Sequence, residues 1–84
     1  MDEIQVGKVL HYFDKAGVAV IQLNNDALAV GDSIRVMGKT TNFTQKVASL
    51  QLEHKQVEKV EAGTELALKV DGKCHRNDTV SKIV

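Results

Sequence analysis

The sequence predicts an all-β protein: a closed six-stranded Greek-key β-barrel. Two observations carry the all-β class. Short runs alternate apolar and polar residues, as half-buried strands do. Turn residues recur about every eight to twelve positions, and no window sustains a helical period beyond a turn or two. With 84 residues, the chain suits one domain spanning 1–84 and a thin core.

Ile4 to Phe13 reads as a long first strand. Ile4, Val6, Leu10 and Tyr12 share one parity and Val9, His11 and Phe13 the other, so the strand bends and is apolar on both sides. Gly7 inside it marks a bulge or a close backbone approach. Asp14-Lys15-Ala16-Gly17 is a hairpin turn, with Gly17 free to take the left-handed conformation. Val18 to Leu23 returns as a central strand.

Asn24 to Asp26 is a polar turn, and Leu28 to Val30 leads into the anchor of the chain. There Gly31-Asp32 supplies a turn, because glycine accepts positive φ and aspartate bonds nearby backbone. Ser33, Ile34, Arg35 and Val36 then alternate, placing Ile34 and Val36 inward and Arg35 outward. Phe43 to Leu52 reads as one fourth strand, with a bulge near Ala48-Ser49 to reconcile its two parities. Glu53 to Glu61 is charge-rich, and Val57 and Val60 would pin it as a loop or a single helical turn. Leu66, Leu68 and Val70 point inward from a fifth strand. Val80 and Ile83 are the core positions of the last, Thr79 to Val84.

Lysine plus arginine number 11, as do aspartate plus glutamate, giving a formal net charge of +0. That balance argues against non-specific nucleic-acid binding, which gains from excess positive charge. DNA is not expected as a partner. Cys74 is the single cysteine, which excludes an internal disulfide and suits a reducing, cytoplasmic setting. There is no signal-peptide pattern. No run approaches the ~20 apolar residues that span a bilayer, so no membrane partner is expected.

The order of these segments resembles the second, β-barrel domain of translational GTPases of the elongation-factor type. Leu28-x-Val30-Gly31-Asp32-x-Ile34-x-Val36 is similar to that family's turn-plus-strand segment. Val60-x-Ala62-Gly63-x-x-Leu66-x-Leu68 is similar to a later one, and Arg76-Asn77-Asp78-x-Val80 to its closing segment. Asn77 stands where the family usually has glycine, and asparagine tolerates the left-handed region. The resemblance implies a translation-associated binding module that contacts RNA, the ribosome or a translation protein. A similar barrel is appended to some collagenase-like peptidases, which implies the alternative of an accessory barrel working with a separate enzyme.

No catalytic, cofactor-binding or metal site emerges from the residues. Gly38-Lys39-Thr40 copies the end of a phosphate loop, but Ser33 occupies the required earlier glycine, and no helix follows. Cys74 and His75 are neighbours on an extended chain and face opposite ways. His11, His54, His75 and Cys74 lack metal-ligand spacing. The acidic residues read as turn or outward positions. Candidate RNA or partner contacts are the basic residues Arg35, Lys39, Lys46, Lys69, Lys73 and Arg76. Tyr12 and Phe43 are candidate stacking platforms.

Overall fold

The computed structural model describes residues 2–84, and no helix occurs among them. Ten strands form: β1 (Glu3–Phe13), β2 (Val18–Leu23), β3 (Leu28–Ala29), β4 (Ser33–Met37) and β5 (Asn42–Lys46), then β6 (Leu50–Leu52), β7 (Lys55–Val57), β8 (Lys59–Val60), β9 (Glu65–Lys69) and β10 (Thr79–Ile83). Eight of them make one sheet in the order β5-β4-β10-β1-β2-β9-β6-β7, and β3 pairs with β8. All pairings are antiparallel.

The all-β class holds, but a closed ring of six strands is not what the ladder makes. β5 and β7 end the sheet order without pairing to each other. The expected fourth strand is two, because Val47 leaves the β5 ladder. Its N–H donates to the Asp32 carbonyl and its carbonyl accepts from the Gly31 N–H, at 2.8 and 2.9 Å. The loop or helical turn expected over 53–61 is instead the turn and second strand of the β6–β7 hairpin, followed by β8. Leu52 pairs with Lys55 across a two-residue turn, and Glu53 and His54 both take positive φ, 51° and 66°.

β1 is the hub, pairing with both β2 and β10. Its register slips between Gln5 and Gly7 against β10, and between Val9 and His11 against β2. The slips let Val6 and Val9, of opposite parity, both be buried. Gly7 is obligatory in this arrangement, because a Cβ there would fall on the backbone carbonyl of Gln22. Ile21, Leu23, Ile34, Val36, Leu50, Leu68 and Val80 complete one continuous core. Burying each such side chain contributes about 1.5–3 kcal/mol.

The Gly31-Asp32 turn forms as the residues predict. Gly31 has φ 97°, and the Asp32 carboxylate accepts the Ala29 N–H at 2.9 Å. Gly17 takes φ 66° in the β1–β2 turn. Val60 is buried and Val57 packs on the core, so the two valines do pin the charge-rich segment.

Candidate functional site

The loop between β9 and β10 crosses one end of the sheet and builds a small polar centre. Asn77 adopts φ 74°, the left-handed conformation open to asparagine. Its N–H donates to the Val9 carbonyl at 2.8 Å, and the Val9 N–H donates to the Asp78 carbonyl at 2.9 Å. The bulged stretch of β1 thereby fixes the loop. Asp78 is turned inward and buried. Its Oδ2 accepts the His75 N–H at 2.8 Å. Thr41, also buried, places its hydroxyl 3.0 Å from His75 Nδ1.

A cleft of about 470 Å³ lies beside this centre, lined by Gly38-Lys39-Thr40 on one side and His75-Arg76-Asn77-Asp78 on the other. Lys39 and Arg76, far apart in sequence, line it together. It is not a nucleotide loop: residues 38–40 bend between two strands, with no helix N-terminus behind them. Nor does it form a hydrolytic relay. The Thr41 hydroxyl and the Asp78 carboxylate, the latter 3.8 Å away, both address Nδ1 of His75. A relay needs the nucleophile and the orienting acid on opposite ring nitrogens.

Cys74 is buried, with Sγ directed to the Gly72 carbonyl at 3.9 Å. Burial pushes its thiol up to about 11, aided by Asp78. At neutral pH it is a thiol, which is a poor nucleophile. Among the described residues, no three His, Cys, Asp or Glu side chains converge as metal ligands do.

The remaining sequence-predicted contacts disperse. Arg35 and Lys46 share the outer face of β4–β5, but Arg35 is bound to Glu3 at 3.1 Å, and its Nε is buried without a partner. Lys69 ends β9, and Lys73 is exposed in the loop beyond it. Lys82, on β10, pairs with Asp26 at 3.3 Å. Tyr12 and Phe43 are not free platforms, because both pack against the core. Burial, then Asp14 and Cys74, raises the Tyr12 hydroxyl above its ordinary pKa. The exposed aromatic is Phe13, whose ring lies 4.5 Å from that of His11. Sequence reading missed buried Asp78 and Thr41. The available signal was the His75-x-x-Asp78 spacing around an asparagine able to turn.

No family model matches the chain. It is 35% identical over 79 residues to an uncharacterized protease of Methanocaldococcus jannaschii, a match covering 93% of the chain and 19% of that protein. It is also 35% identical over 77 residues to a collagenase of Porphyromonas gingivalis, covering 90% of the chain and 19% of the collagenase. The chain thus spans about a fifth of the length of these relatives. In fold it is similar to the crystallised C-terminal domain of a Geobacillus thermoleovorans protein described as a U32 peptidase. That likeness has a TM-score of 0.88 and 23% identity, and covers 96% of this chain and 93% of that one.

These matches correct the elongation-factor and RNA-binding reading. Its resemblance rested on short segments such as Val30-Gly31-Asp32, which recur wherever a turn opens a strand. The protease and collagenase matches run through nine-tenths of the chain. The geometry agrees, since Arg35 is paired and the two proposed stacking rings are committed to the core. The peptidase setting is the one the comparisons support. No helix among the described residues is long and apolar enough to cross a membrane.

Proposed function

We propose that this chain is a non-catalytic accessory β domain that works with a collagenase-like peptidase, fused to it or as a separate chain. The observation that carries this reading is the pattern of coverage. A match at 35% identity takes in nearly all of this chain and only 19% of each relative. On this reading the peptidase chemistry resides in the remaining length of such proteins. The neutral, buried thiol of Cys74 and the doubly addressed Nδ1 of His75 support a domain without chemistry of its own. A sheet curled around one core holds outward side chains in fixed register, so little conformational entropy is lost when they engage a partner.

The test uses the Porphyromonas gingivalis collagenase with the matching segment deleted. The deletion is expected to weaken cleavage of gelatin by about tenfold or more while sparing a short fluorogenic peptide. The 84-residue chain alone should cleave neither. Cleavage by the chain alone, or a deletion that leaves gelatin cleavage unchanged, would refute the reading.

A further inference from the structure

We propose that the groove on the outer face of β2, β9 and β6 takes an extended peptide segment carrying a lysine or arginine. The groove has a volume of about 620 Å³, within the range of ligand clefts. Its floor follows from strand register. Ile21, Leu66 and Leu68 point into the core, so Val20, Gln22, Glu65 and Ala67 point out. Ala67 is paired with Val20 on one side and Gln51 on the other. A methyl group in the middle of three strands leaves the depression.

Charge selects the occupant. Glu53 and Glu65 line the groove, and no lysine or arginine does. Among the described residues neither carboxylate has an ion-pair partner; the ion pairs lie elsewhere. Gln22 and Gln51 offer side-chain amides along the floor, suited to the backbone of an extended peptide. Val20 and Leu52 supply apolar contact for its uncharged side chains.

The wall of the groove is built against local preference. Glu53 and His54 occupy a two-residue turn with φ positive at both positions. Asn-Gly fits such a turn best, yet the residues present are two long side chains that line the groove. Replacing them separates stability from binding.

This site deepens the peptidase reading by naming the substrate feature the domain would hold. Its test nevertheless uses the 84-residue chain alone, so it can fail while that reading stands. Binding of a fluorescein-labelled octapeptide of alternating lysine and valine is measured by anisotropy, with the glutamate–valine peptide as control. The expected result is saturable binding of the lysine peptide only, weakened by salt. Ala67→Leu, which fills the floor from the solvent side, and the pair Glu53→Asn/His54→Gly should each weaken it by about tenfold or more. The second variant should also melt higher than the wild type. Equal binding of both peptides, unchanged binding by both variants, or a signal that tracks self-association of the chain would each overturn the proposal.

Discussion

The carboxylate of Asp78 occupies the space where a Cβ on residue 38 would stand, so Gly38 and Asp78 are fitted to each other. A Cβ built on Gly38 would fall on Asp78 Oδ1. Asp78 has nowhere to retreat, because its other oxygen holds the His75 N–H at 2.8 Å and its backbone is tied to β1 through Val9. The glycine is required by this contact rather than by its φ, which is not positive.

Gly38→Ala is therefore expected to destabilise the protein by about 1–3 kcal/mol, the usual cost of overpacking a fixed site. Asp78→Ala leaves the His75 N–H without its acceptor and should cost a similar amount. The diagnostic is the double variant. With the carboxylate gone the alanine methyl has room, so the double variant should be more stable than the summed losses by about 0.5–3 kcal/mol. Urea denaturation of the four proteins measures this. Strict additivity would mean that the two residues do not oppose each other.

Cys74 gives a pH dependence with a definite sign. Its thiol is raised from an ordinary value of 9.0 to about 11, so the folded state keeps the proton more tightly than the unfolded chain. The contribution is fully present below pH 9 and is lost as pH rises through about 11. The loss is at most about 3 kcal/mol. The stability difference between wild type and Cys74→Ala should shift against the wild type across that window and stay flat from pH 6 to 8. At pH 8 native Cys74 should react with a thiol reagent far more slowly than in urea.

Where a residue's role is local, it was legible in the sequence. Gly31-Asp32, Asp14 to Gly17 and Asn77 announce turns because φ preference belongs to the residue itself. Ile34, Val36, Leu66 and Leu68 announce the core by alternation. The β6–β7 hairpin was hidden because Glu53-His54 carries no turn signature and charge suggested a loop. The change of parity near Ala48-Ser49 announced an irregularity, but a full strand break there was hidden because its cause, the Gly31-Asp32 backbone that binds Val47, lies across the fold. Asp78 was read as surface because its burial depends on partners from β1 and from the Thr41 loop. The cleft shared by Lys39 and Arg76, and the depression at Ala67, arise from pairings that no single segment reveals.

The Glu53-His54 turn has a stability consequence of its own. Left-handed backbone costs a non-glycine residue roughly 1–2 kcal/mol, and asparagine and glycine are best suited to the two positions. Glu53→Asn/His54→Gly is expected to stabilise the fold by about 1–2 kcal/mol, visible as a higher urea midpoint at unchanged slope. Glu53→Ala/His54→Ala removes the same side chains and keeps the strain, so it should not stabilise. If both pairs stabilise equally, relief of charge or crowding is responsible and the backbone is not.

Gln45 bridges β5 to the end of β9, two strands that share no ladder pairing. Its Nε2 donates to the Lys69 carbonyl at 3.0 Å and its Oε1 accepts the Asp71 N–H at 2.7 Å. One primary amide thus presents a donor and an acceptor to backbone groups two residues apart, as a neighbouring strand would. The contact is exposed, so water can partly replace it, and Gln45→Ala should cost only about 1 kcal/mol. The local effect is larger: exchange of the Asp71 amide should accelerate by about tenfold as this end of the sheet opens. Gln45→Glu separates the two bonds. It keeps an acceptor for Asp71 but sets a carboxylate against the Lys69 carbonyl, so stability should fall while the Asp71 amide stays more protected than in the alanine variant. Equal exchange at Asp71 in wild type and Gln45→Ala would show that the amide spans the gap without holding it.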